Sequence, residues 1–190
     1  MSRQLRGATV FSGLPSSGQG LPGSPFSFGV ELLSAFRERA TINRQKGENI
    51  MKTYRSFAKN LLDLLGEAQA LRIISDGFMP LSIEDIGKTP EGYRQISLCH
   101  YGEQNGDLMR DPDMVFDLIT HEELIVAEPI SFRNDYMGIN QEVYCYDDQG
   151  KRTHVNPRLK KELKSFATTW FRNLRAQGFF DKEATRERLA

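Results

Sequence analysis

The chain has only two cysteines, one tryptophan and three histidines in 190 residues. It has no apolar run near the roughly 20 residues that a membrane-spanning helix needs. Cys99 and Cys145 sit in β-like runs, without a neighbouring basic pattern to lower a thiol pKa, so neither reads as a nucleophile. Both are expected to be buried small hydrophobes in a reducing compartment rather than a disulfide pair. His100, His121 and His154 have no zinc-ligand spacing among themselves or with the cysteines. There is no G-x-S-x-G, no phosphate loop and no dinucleotide fingerprint, so the signatures of the common acyl-transfer and nucleotide enzymes are missing. The first residues lack the charged, apolar, small-residue order of a secretory signal, and mean hydropathy is −0.48. These absences lead to the expectation of a cytoplasmic protein with no cofactor and no membrane contact.

Charge of one sign is also scarce, but only in the total. The net charge is zero, yet residues 51–150 hold 18 Asp/Glu against 8 Lys/Arg, and residues 151–190 hold 11 Lys/Arg against 4 Asp/Glu. An acidic body followed by a basic segment can present two unlike faces to two partners, or form an ordinary solvated surface.

Residues 1–28 are dense in Gly, Ser and Pro, a composition with too little apolar surface to offset chain entropy, and are expected to be disordered. Residues 29–41 fit a short amphipathic helix and residues 42–50 a linker. Lys46-Gly47-Glu48 can be encoded by AAA-GGA-GAA, which contains the bacterial ribosome-binding sequence AAGGAG, and Asn49 and Ile50 supply a short spacer before Met51. The expectation is that translation starts naturally at Met51 and that residues 1–50 are leader read in frame. A peptide from this segment in the endogenous protein would refute it.

From Met51 the pattern sharpens. Tyr54, Phe57, Ala58, Leu61, Leu62 and Leu65 recur at helical spacing and Gly66 ends the run. Residues 70–146 alternate between β-rich runs and turn signals, with strands expected at 71–75, 78–84, 93–101, 107–119, 124–132 and 139–146, then a short segment at 153–155. Asn156 and Pro157 mark a helix start. Leu159, Leu163, Phe166, Ala167, Trp170, Phe171 and Leu174 form its apolar stripe, and Gly178 comes just after its end. The fold class is α+β: an antiparallel meander of five to six strands with an N-terminal and a C-terminal helix on one face, residues 51–180 forming one domain and 181–190 a charged tail.

Asn105-Gly106 is the strongest hairpin signal, because both central positions of a type I′ turn need positive φ. A two-residue turn sets Gln104 opposite Asp107, Gly102 opposite Met109 and His100 opposite Asp111. Ile96, Leu98 and His100 share the face marked as buried. A His100–Asp111 pair would raise the imidazole pKa, as in catalytic pairs; it would equally satisfy two polar groups at the core margin. Asp107, Asp111 and Asp113, with Glu103, are the candidates for a hard cation, though their spacing is not that of an EF-hand loop. Tyr101, Glu103, Asn105, Asp107 and Asp113 are candidate contacts for a protein partner. Tyr93, Tyr136, Tyr144 and Tyr146 would add aromatic surface to an open sheet face. Lys160, Lys161, Lys164 and Arg172 on the last helix are candidate nucleic-acid contacts.

The segment H-Y-x-x-Q-N-G-D-x-M-x-D-P-x-M from His100 to Met114, with a later run from Ile130 to Tyr136, resembles a bacterial family known only as a domain of unknown function. The resemblance covers about residues 51–180. It implies a cytosolic accessory protein of mobile DNA, since members are found on plasmids, phages and integrative elements, sometimes beside antirestriction genes. It supplies no catalytic residues. Three functions are expected in turn: a non-catalytic interaction domain of a mobile element acting on host defence or conjugation machinery through its acidic sheet, a metal-dependent hydrolase or nuclease using His100, Asp107, Asp111 and Asp113, and a nucleic-acid-binding accessory domain. The oligomeric state is not readable.

Overall fold

The computed structural model describes the backbone of residues 25–189, and the side chains of Thr41 and residues 43–189. Of the leader expected to be disordered, residues 1–24 lie outside the described residues. The chain divides into two units, residues 1–43 and 44–190. The second unit contains every strand and helix α2.

Helix α1 spans Pro25–Leu65, so two expectations change. The disordered segment was expected to run to residue 28, and residues 42–50 were expected to be linker; both stretches contribute to the helix. Across 42–50 the straight side chains of Arg44, Gln45, Lys46 and Glu48 have good helix propensity, and one glycine costs only about 1 kcal/mol. Arg44 pairs with Glu48 at 3.3 Å, one turn on. Gly66, at φ 58, ends the helix with its N–H on the Leu62 carbonyl at 2.9 Å.

After α1 come strands β1 (Ala70–Ile74), β2 (Leu81–Lys88), β3 (Arg94–Gln104), β4 (Asp107–His121), β5 (Leu124–Asn134), β6 (Ile139–Glu142), β7 (Tyr144–Tyr146) and β8 (Arg152–Val155). Helix α2 (Pro157–Ala176) and strand β9 (Thr185–Arg188) complete the chain. Seven strands form one antiparallel sheet in the order β6-β5-β4-β3-β2-β1-β9, and β7 and β8 form a separate two-stranded pair. The fold is therefore α+β and antiparallel, with more strands than the five to six expected. The run 139–146 divides at Val143, whose N–H is held by the Ile130 carbonyl at 2.8 Å while its own carbonyl accepts from Asn156. The segment expected as a charged tail supplies β9. Its Thr-Arg-Glu-Arg pattern carries no apolar signal, and its four residues are exposed on the sheet edge, where charged side chains are favoured. Arg186 fixes it by donating to the carbonyls of Leu64 and Phe179 at 3.0 and 3.3 Å.

The core arises from the alternation. Ile96 and Leu98 on β3, Met114 and Phe116 on β4 and Ile83 on β2 are fully buried. Phe116 stacks on Phe57 of α1 at 6.2 Å and on Phe171 of α2 at 5.8 Å. Those two rings meet at 5.5 Å, so one aromatic triangle joins sheet and helices. α2 starts as its sequence dictates, with Asn156 Oδ1 accepting from the Leu159 N–H at 3.0 Å and Pro157 in the first turn. Gly178, at φ 83, lies just past its end, where an added Cβ would stand 3.1 Å from Ser75 Oγ. Phe166 departs from the expected stripe: it is half exposed and stacks on Phe132 at 5.1 Å.

Candidate functional site

The β3–β4 hairpin turns at Asn105 (φ 56) and Gly106 (φ 87), as a type I′ turn requires. The register runs Gln104 to Asp107, Glu103 to Leu108, Gly102 to Met109 and Tyr101 to Arg110, and then shifts, so that Cys99 faces Asp113. β4 thus carries one extra residue at Asp111-Pro112, where proline has no N–H for the ladder. The expected facing of His100 and Asp111 falls within this shift and does not form. His100 Nδ1 lies 3.0 Å from the Pro80 carbonyl, while Asp111 Oδ1 accepts from Asn134 Nδ2 at 2.6 Å. The imidazole is buried, as its alternation with Ile96 and Leu98 indicates, and it packs between Trp170 and Phe179 at 5.8 and 5.5 Å. Burial lowers its pKa, the reverse of the rise expected from a facing carboxylate.

The carboxylates expected to converge are separated. Asp113 accepts from Ser97 Oγ at 2.8 Å and pairs with Arg110 Nε at 3.3 Å, and burial raises its pKa. Asp107 stands exposed beside the turn. Among the described residues, no three His, Cys, Asp or Glu side chains form a group that could hold a metal ion. Cys99 is buried, with its thiol 3.2 Å from the His100 carbonyl, and burial pushes its pKa up to about 12. Such a thiol stays protonated. Cys145, expected to be buried, is exposed, because β7 lies outside the main sheet; both thiols are free.

The buried and half-buried carboxylates of the acidic body are bonded internally. Asp117, fully buried, takes Gln95 Nε2 at 3.0 Å and an ion pair from Arg152 of β8. The Arg152 guanidinium lies 4.2 Å over Tyr144 and 5.5 Å over Tyr93, which employs two of the tyrosines expected on an open face. Glu128 pairs with Lys160 at 2.6 Å, removing that lysine from the free cations of α2. Asp85 pairs with Arg94 at 2.7 Å. Asp135 accepts from the Arg110 N–H at 3.0 Å and from Arg133 Nε at 2.6 Å, and these bonds hold its carboxyl below the usual range. This Arg110–Asp113–Asp135–Arg133 network ties the β5–β6 turn to β4. The sequence left residues 133–135 between two expected strands and gave no sign of their partners.

Exposed apolar and unpaired charged groups meet at the hairpin end of the sheet. Glu103 and Asp107 are exposed and make no ion pair among the described residues. Leu108 is 71% exposed, Met137 68%, Tyr136 44% and Tyr101 36%. Tyr136 sits directly over Gly102: a Cβ there would collide with its hydroxyl and lie 3.2 Å from its ring carbons, so glycine provides the seat for the ring. A concavity of about 990 Å³ lies between α1 and the β4–β5 turn, with Ala58, Leu62, Leu124 and Ile125 beside Arg55, His121 and Glu122. No sequence motif pointed to it. On α2, Lys161 and Arg172 are exposed and Lys164 is half-buried.

Residues 48–180 match the family described as a domain of unknown function (DUF6908). No curated protein and no solved structure matches the chain.

Proposed function

The chain belongs to this uncharacterised domain family, and we propose that it is a non-catalytic interaction domain, carried by a mobile genetic element, that docks a host protein through the Asn105 end of its sheet. One observation carries the reading: Leu108 and Met137, the two most exposed large apolar side chains among the described residues, lie there with the unpaired carboxylates Glu103 and Asp107. Leu108 and Tyr101 supply contact area and Glu103 and Asp107 supply charge, so the partner presents an apolar patch rimmed by Lys or Arg. The mobile-element setting rests on the resemblance of the segment around His100 to Met114, and host defence or the conjugation machinery supplies the partner.

Capture from a lysate of the native host tests the docking. The wild-type chain retains a stoichiometric partner, whereas Leu108→Asp and the double change Glu103→Lys/Asp107→Lys lose it by about tenfold or more in affinity, as loss of a central anchor or charge reversal does. Equal retention by all three chains would remove the hairpin end from the interface.

A further inference from the structure

α1 and α2 enclose a groove of about 420 Å³ with a charge character opposite to that of the sheet. Lys52, Ser56 and Asn60 line it from α1, and Thr168, Arg172 and Arg175 from α2; none of its lining residues is a carboxylate. The placement comes from helical spacing. Lys52, Ser56 and Asn60 recur every four residues on α1, and Lys161, Lys164, Thr168, Arg172 and Arg175 each lie three or four residues from the last on α2.

Arg175 is the central feature. Its Nη2 donates to Asn60 Oδ1, and its guanidinium lies 4.0 Å over the Phe180 ring. Both partners are neutral. They fix the side chain in place and leave its charge uncancelled, in contrast to Arg94, Arg110, Arg133 and Arg152, each of which faces a carboxylate. Asn60, only 5% exposed, is the buried polar residue that makes this arrangement. Arg172 and Lys52 are exposed on the two walls and make no ion pair among the described residues. A positioned guanidinium with further N–H donors, flanked by two exposed cations, suits a tetrahedral oxyanion.

We propose that the α1–α2 groove binds a phosphate group, with Arg175 as its fixed donor and Arg172 and Lys52 closing on it from either side. The group belongs to a nucleic-acid backbone or to a free phosphate; the cationic stripe that continues along α2 to Lys161 extends in the direction a backbone would take. The site is independent of the docking end of the sheet, so either assignment can fail alone.

Titration of the full chain with inorganic phosphate and, separately, with a short oligothymidylate tests it. Saturable binding is expected in at least one arm, and Lys52→Glu/Arg172→Glu weakens it by about tenfold or more. These exposed residues leave the Asn60–Arg175 contact intact, so the melting temperature of the variant stays that of the wild type. Tighter binding of the oligonucleotide, with a salt slope that falls by about one for each cation removed, identifies a nucleic-acid backbone. Equal affinity in the two arms identifies a single free phosphate. No saturable binding in either arm, or binding unchanged by the charge reversal, would overturn the site.

Discussion

His100 shows how far a single position can be argued. Its burial is written in the alternation Ile96, Leu98, His100, but its partner is not. The register counted from Asn105-Gly106 holds as far as Tyr101 and then fails by one residue, because β4 is irregular at Asp111-Pro112. A turn motif fixes pairing next to itself and carries no information about a later insertion. The histidine therefore serves the core. Burial lowers its pKa from the ordinary 6.5, so below that value the unfolded chain takes up a proton more readily than the folded one. Stability is full above pH 6.5 and falls as the pH drops toward the folded value. Urea midpoints measured between about pH 5 and 7 are expected to decline on the acid side for the wild type and to decline less for His100→Gln. Parallel profiles would show that this group does not set the dependence.

The elements were legible in proportion to their apolar periodicity. α2, the β3–β4 hairpin and the core face of the sheet emerge from spacing, caps and turn residues. β9 and residues 42–50 of α1 carry mostly charged or polar side chains, and they form through backbone pairing to β1 and helix propensity, which leave no periodic trace. The β7–β8 pair is held by an interaction equally invisible in sequence: Arg152 lies 35 residues from the buried Asp117 it neutralises. Arg152→Met is expected to destabilise the fold by about 3 kcal/mol or more, because it strands a buried carboxylate, while Arg152→Met/Asp117→Asn recovers much of that loss. Thermal and urea unfolding of both variants would measure it. A double variant no more stable than the single one would show that the guanidinium's packing between Tyr93 and Tyr144, rather than charge neutralisation, holds the pair.

At the scale of the molecule, the sequence divided charge by position along the chain, whereas the fold divides it by whether each charge is paired. Asp85, Asp113, Asp117, Glu128 and Asp135 all have cationic partners within the domain, while Glu84, Glu103, Asp107, Glu122, Glu123 and Glu142 are exposed without an ion pair among the described residues, so only the exposed part of the acidic excess is presented. The composition could reveal the excess of carboxylates but not which would be spent internally, since most of their partners lie on another strand or on α2. Of the candidate residues, Tyr101, Glu103, Asn105 and Asp107 lie together at the hairpin end, Asp113 is held in the Arg110 network, and Asp111 is turned to Asn134. Leu108 of β4 stands beside them, and the exposed Tyr136 and Met137 join that end through the β5–β6 turn, a neighbourhood that only the sheet order makes. Hydrogen exchange on the free chain and on its captured complex tests docking there most directly. Protection gained at residues 101–110 and 135–137, with the α1 side of the sheet unchanged, is the expected result. Protection confined to residues 55–63 and 121–125 would contradict it and move the interface to the larger groove.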